Sequence, residues 1–372
     1  MDTDRALHPG RATAEGTQRY RDRFANLIGH FRQRQGWWLS SIGIGTFLGE
    51  PDAATDARYT AAVQHAVTSG INVIDTAINY RFQRSERSVG AALTALFESG
   101  RAKRDEIVVA TKGGYVPFDG GYPADPERYI RETFIDTAIA RAKDFIDGHC
   151  IAPEYLWFQI DQSRRNLGLD CIDIYYVHNP EAQLDRVSRA DFHARLKAAF
   201  AFLEERVDQG WIQSYGTATW NAYRASPKTG GYLSLEEVLA VAREVRGINH
   251  HCRFVQLPLN MAMLEALVAR NQRAGGELMS TLEAAQRFGV TVMCSATLLQ
   301  SRLLNHLPAG LQAQFEALTS DAQRAIQFTR SAPGVATALV GMSRVAHVDE
   351  NVAAARVAPL DETAFKSLFA PR

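Results

Sequence analysis

Four residues in this sequence have side chains of the types that move protons: Asp75, Tyr80, Lys112 and His178. Asp75 closes the run Ile-Asn-Val-Ile, Lys112 follows Ile-Val-Val-Ala-Thr, and His178 follows Ile-Tyr-Tyr-Val. Tyr80 lies five residues beyond Asp75. Each has an ordinary explanation by itself: a turn aspartate, a loop aromatic, a solvated strand end, a satisfied core histidine. At three successive strand ends they also form a coherent chemical set. A free phenol has a pKa of about 10 and is a weak acid at neutral pH. A nearby ammonium favours the phenolate and lowers that value. A buried carboxylate can hold the ammonium, and a neutral imidazole can orient a substrate oxygen by a hydrogen bond. Such a set protonates an oxyanion as it develops, which suits hydride transfer to a carbonyl.

The elements that must position these groups come from a repeating rhythm. Short runs rich in Val and Ile fall at 42–45, 71–75, 107–111, 172–177, 212–216, 254–257, 290–294 and 337–340, as fully buried parallel strands do. Helix-like stretches alternate with them at 57–68, 84–98, 153–166, 189–208, 235–245, 278–288, 321–330 and 347–355. Gly70, Gly210 and Gly289 stand where helices stop before the next strand. Eight strand-then-helix units predict an α/β fold, a single (β/α)8 TIM barrel with extended βα loops and an N-terminal extension. An open doubly wound sheet ranks below it, because Gly43-x-Gly45-x-x-x-Gly49 lacks the GxGxxG spacing.

Barrel chemistry gathers at the C-terminal ends of the strands, where the four residues fall. Two loops on that face are long, 113–150 and 222–234, and are read as substrate walls or as plain insertions. Tyr115, Phe118 and Trp220, together with Tyr122, are candidate residues lining an apolar substrate pocket. The expected division is 1–40, an N-terminal extension, partly flexible before a docked segment around 24–38, and 41–372, the barrel. Asp2, Asp4 and Glu15 argue against a mitochondrial transit peptide.

Composition mainly excludes. The chain has 372 residues, 46% of them hydrophobic, which rules out a disordered chain. Basic and acidic residues balance at 41 each, so charge gives no argument for nucleic-acid binding. Cys150, Cys171, Cys252 and Cys294 are far apart with no CxxC pair, which points away from a zinc site or disulfide framework and toward a reducing, cytoplasmic setting. No apolar run approaches membrane-span length. The partner expected is a small carbonyl or alcohol, not nucleic acid or membrane, and oligomeric state is left open.

The sequence resembles the aldo-keto reductase family. The likeness rests on Gly43-Ile44-Gly45-Thr46, on Asp75-Thr76-Ala77-x-x-Tyr80, on Ser85-Glu86-x-x-Val89-Gly90 and on Ala110-Thr111-Lys112. It continues through Ser163 to His178 and ends in Gly341-Met342-Ser343-Arg344 and Glu350-Asn351-Val352. These patches run in family order over roughly 40–356. The resemblance implies NAD(P)H-dependent carbonyl reduction, or the reverse. It implies Tyr80 as general acid, Lys112 and Asp75 as the pair that tunes it, and His178 as the group that orients substrate. It also implies cofactor contacts at Gly45, Thr46, Gln256, Ser295, Leu298, Ser343, Arg344, Glu350 and Asn351. Arg344 tilts the expected cofactor toward NADPH, with NADH possible, because a guanidinium suits a 2′-phosphate.

Three departures from the family pattern stand out. Ala218 replaces a residue able to hydrogen-bond a carboxamide, leaving Thr219 to do so. Cys294 stands where an aromatic ring often covers the nicotinamide, with Trp220 as a substitute stacking surface. His347 stands where many members carry arginine. Two alternatives follow from such a pocket: a nicotinamide-binding barrel acting as sensor or subunit, and a barrel enzyme using the four residues for non-redox carbonyl or sugar chemistry.

Overall fold

The Val- and Ile-rich runs become eight parallel strands that close on themselves in the computed structural model. It describes residues 6–184, 186–304, 307 and 313–369. Positions 1–5 of the expected extension and 370–372 of the expected barrel segment lie outside the described residues. In chain order the strands are β1 (Phe31–Arg34), β2 (Trp37–Ser40), β3 (Ile42–Gly45), β4 (Val73–Asp75), β5 (Val108–Gly113), β6 (Ile172–His178), β7 (Ile212–Ala218), β8 (Cys252–Pro258), β9 (Gln272–Ala274), β10 (Glu277–Met279), β11 (Thr291–Ser295) and β12 (Val335–Gly341). The closed barrel runs β3-β4-β5-β6-β7-β8-β11-β12, with β12 pairing back onto β3. β1–β2 and β9–β10 are separate antiparallel hairpins. The barrel expected from the sequence is the fold.

Side chains alternate between the two faces of each strand. Val73, Val108, Ala110, Ile174, Tyr176, Phe254 and Met293 pack together in one cluster inside the barrel. Ile74, Val109, Tyr175, Val177, Val255 and Cys294 belong to the larger layer between strands and helices. This parity sets the rim. Asp75 is two residues beyond Val73, Lys112 two beyond Ala110, His178 two beyond Tyr176, Gln256 two beyond Phe254 and Ser295 two beyond Met293. All five therefore share the interior parity at the C-terminal ends of their strands.

Several boundaries differ from the sequence reading. The 57–68 helix begins earlier, at Ala53, because the Asp52 side chain caps it by accepting from the Thr55 N–H. The stretch read as a helix from 278 starts with the end of β10. The helix proper is Thr281–Arg287, opened by a capping box between Ser280 and Glu283.

Within the segment read as a flexible lead-in before Phe24, the described residues include an ordered element. Ala14–Arg23 is a helix capped by Thr13. Gly16 seats it against the barrel: a Cβ there would lie 2.1 Å from the Asp105 carbonyl oxygen. The Ala12 N–H donates to the buried Asp173 carboxylate at 2.8 Å. Trp37 stacks on Phe254 with ring centroids 5.9 Å apart, so the β1–β2 hairpin closes the N-terminal end of the barrel.

The loops also differ. The 113–150 loop carries a short helix, Pro126–Ile130, and its own apolar cluster around Phe134, Cys150 and Tyr155. A further long connection, unread in the sequence, follows β11. Its residues Ala296 to Ser301 include four in the left-handed region: Ala296, Leu299, Gln300 and Ser301.

Candidate active site

A cavity of about 360 Å³ opens at the C-terminal end of the barrel. Asp75, Tyr80 and His178 line it, with Gly45, Thr46, Tyr115, Thr219, Trp220, Gln256, Ser295 and Leu298 from the sequence reading. Lys112 is fully buried behind them. Its ammonium donates to Asp75 Oδ2 and to the Thr76 carbonyl, each at 2.7 Å. It lies 4.9 Å from the centre of the Tyr80 ring. The other Asp75 oxygen accepts from Gln256 Nε2 at 2.7 Å. The carboxylate is thereby pinned at both oxygens. The Tyr80 and His178 rings stand edge to face at 5.9 Å, and Phe47 meets Tyr80 from another side at 4.9 Å.

Burial dominates the electrostatics. It pushes the Tyr80 phenol above its ordinary value, and Lys112 pulls the other way without prevailing. The expectation that Lys112 leaves the phenol more acidic than a free one is therefore corrected: desolvating the phenolate costs more than the cation returns. Burial also opposes the charge on Lys112, but Asp75 and Tyr80 outweigh it, so its pKa is raised and the ammonium is retained. His178 is held well below 6.5 by burial, then by Lys112 and His149. It is a neutral imidazole.

Sequence reasoning missed the support beneath His178. The His149 Nδ1 faces the Gln183 amide nitrogen at 2.9 Å, which assigns that nitrogen as acceptor and Nε2 as donor to the His178 carbonyl at 2.7 Å. Tyr115 packs against both histidines, 5.0 Å from His149 and 5.1 Å from His178. His149 ends a long loop, and no local pattern marks it.

Other expected residues are placed less centrally. Phe118 is not at the cavity; it packs against Tyr122 and Tyr129 in the loop's own cluster, and Tyr122 is largely exposed. Cys294 is fully buried on the outer face of β11, so the strand turns it away and presents Ser295 and Ala296 instead. Trp220 does reach the cavity wall. Ala218 lines it too, beside a Thr219 hydroxyl that is buried without a hydrogen-bond partner. Ser343, His347, Glu350 and Asn351 line an adjoining cavity that shares Leu48, Leu298, Ser301 and Gly341 with the first. Arg344 is exposed at the start of the helix Val345–Ala355, which lacks a side-chain cap. Among the described residues no cluster of His, Cys, Asp and Glu could hold a metal ion. No helix among them is long and apolar enough to cross a membrane.

A fold of this type with these groups at one rim defines a class, and the comparisons assign it. The model of the Aldo/keto reductase family matches residues 41–370, so the chain belongs to that family. It is similar to a D-threo-aldose 1-dehydrogenase of a Pseudomonas species, 31% identical over 44% of this chain and 44% of that one. It is also similar to an NADH-specific methylglyoxal reductase of Escherichia coli K12, 29% identical over 50% of this chain and 49% of the relative. The chain thus spans about half the length of the curated relatives it matches. Among solved structures, an aldo/keto reductase from Klebsiella pneumoniae in complex with NADP and acetate shares the fold. The TM-score is 0.60 at 21% identity, covering 92% of this chain and 94% of that one.

Proposed function

We propose that this protein is an oxidoreductase that reduces an aldehyde or ketone to an alcohol, or runs the reverse, with a nicotinamide cofactor. The observation that carries this reading is the buried Lys112, held by Asp75 and set against the Tyr80 phenol in a cavity that also presents a neutral His178. A carbonyl oxygen seated between Tyr80 and His178 meets an acid and a neutral hydrogen-bonding group at once. As the oxygen gains negative charge, Tyr80 gives up its proton, and the Lys112 ammonium stabilises the phenolate left behind. In the oxidative direction the same phenolate receives the alcohol proton. Asp75 acts through Lys112, fixing its position and charge, and His149 acts through the His178 backbone.

The residues present fit a dinucleotide. The unpartnered Thr219 hydroxyl lies in the cavity wall beside Gln256 and Ser295, where a carboxamide would find hydrogen-bonding groups. Gly45, Thr46 and Leu298 flank the path into the adjoining cavity, where Ser343, Glu350 and Asn351 would meet the adenosine end. The uncapped helix start at Arg344 offers N–H groups and a guanidinium to a phosphate, which favours NADPH over NADH. When bound, the reduced nicotinamide supplies a hydride to the carbonyl carbon.

The test mixes the protein with NADPH or NADH and a panel of aldehydes, ketones and sugars, and follows reduced-nicotinamide absorbance. Turnover that disappears in Tyr80→Phe while cofactor binding persists supports the proposal. Tight cofactor binding with no turnover of any carbonyl would sink it.

A further inference from the structure

A second cavity, about 590 Å³, adjoins the first on the side away from the adenosine end. Tyr115, Asn179 and Trp220 line both cavities, so one ligand can occupy the two together. On its wall sits Glu181, a residue with no role in the proton chemistry. It is carried on the short turn Pro180–Gln183, directly after His178 and the left-handed Asn179. Its Oε1 accepts from the Trp220 N–H at 2.8 Å and the Asn221 N–H at 3.4 Å. Its Oε2 is buried and has no hydrogen-bond partner. A buried carboxylate oxygen without a donor is costly unless a ligand supplies one.

The neighbours narrow the ligand. Arg224 also lines this cavity, but its guanidinium is spent on Glu265 Oε2 at 2.6 Å, Asn221 Oδ1 at 3.1 Å and the Trp220 carbonyl at 3.1 Å. It leaves Glu181 Oε2 unanswered. The wall therefore presents an open carboxylate oxygen near two aromatic side chains, Tyr115 and Trp220. A neutral chain of hydroxyls, each both donating and accepting, matches that wall, and its C–H faces match the rings.

We propose that Glu181 is the specificity-determining residue of a hydroxyl subsite in this cavity, where a substrate hydroxyl donates to Glu181 Oε2. The inference rests on the reductase reading given above, but its test has an independent arm. D-xylose and pentanal share a five-carbon chain and differ in hydroxyls; xylitol and 1-pentanol are the matching alcohols. In Glu181→Gln, which keeps the backbone contacts at Oε1 and replaces the acceptor at Oε2, the KM for D-xylose rises about tenfold with kcat unchanged, a loss of the size expected for one charge-assisted hydrogen bond. Pentanal kinetics stay unchanged and report an intact site. Xylitol binding, read by calorimetry on the full chain, weakens by the same factor, while 1-pentanol binding does not. Parallel losses for D-xylose and pentanal, or xylitol binding that is absent in the parent or indifferent to the substitution, would overturn the subsite. A protein that binds xylitol through Glu181 yet reduces neither carbonyl keeps the subsite and loses the reductase reading.

Discussion

At the N-terminal end of the barrel, Asp173 accepts from the Ala12 and Val109 N–H groups, from Gln213 and from Arg104, all between 2.7 and 2.9 Å. At the C-terminal end, Thr76 Oγ1, Asn79 Oδ1, His178 Nδ1, Thr219 Oγ1 and Glu181 Oε2 are buried and have no partner at all. The same strands supply both ends. Below, a carboxylate is saturated and an indole covers the apolar interior. Above, polar atoms have lost water and gained nothing from the protein in exchange. Unpartnered buried atoms also occur at the lower end, Arg104 Nε and His250 Nδ1 among them, so what sets the upper rim apart is that several such atoms gather around one cavity.

The largest test of that contrast is at the top. Tyr80→Phe is expected to lower turnover by about 10²–10⁴-fold, the contribution of one positioned acid, with no change in thermal unfolding. A fall in stability as large as the fall in rate would place Tyr80 with the groups that hold the fold. At the other end, Trp37→Ala removes the indole stacked on Phe254 and should cost about 3–5 kcal/mol in denaturant unfolding. The turnover of its folded fraction should match the parent.

A third test uses pH. Burial holds His30, near the barrel floor, at about 3 and His149, under the site, at about 4. Unfolded histidines titrate near 6.5, so below that pH the unfolded chain takes up protons that the fold excludes. Stability from both is complete above about 6.5 and falls as pH drops toward 4, by up to a few kcal/mol. Thermal unfolding across that window should decline in the parent. His30→Gln should flatten the decline with rates intact, whereas His149→Gln should also slow turnover by freeing the His178 carbonyl. The smallest effect belongs to Thr219→Val. It deletes an unpartnered hydroxyl, so stability should hold or rise by up to about 1 kcal/mol while reduced-nicotinamide affinity falls. A stability loss there would show that the hydroxyl serves the fold.

Much of this was legible in the sequence wherever one strand decides the outcome. Asp75, Lys112 and His178 each terminate an apolar run, and strand parity carries all three to the interior rim without knowledge of any distant contact. The same parity explains the error at Cys294: Met293 faces inward, so its neighbour must face the helices. Phe118 misled because a long loop can bury aromatics in a cluster of its own. Glu181 and His149 were illegible because their roles depend on Trp220, Asn221 and Gln183, which reach them only after the barrel closes. The capping box at Ser280 and Glu283, by contrast, is a local feature that the Ser-x-x-Glu spacing alone specifies.

The helix seated through Gly16 bears on how the protein can be cut. The family match begins at residue 41, which makes that position an inviting place to trim. Trimming there would strip Trp37 and Leu39 from the barrel floor, take the Ala12 N–H from Asp173 and uncover Phe254. The product would carry an open apolar patch and aggregate on expression. Shortened versions meant for handling or fusion should keep Ala12 through Ser40 and place any added tag ahead of them.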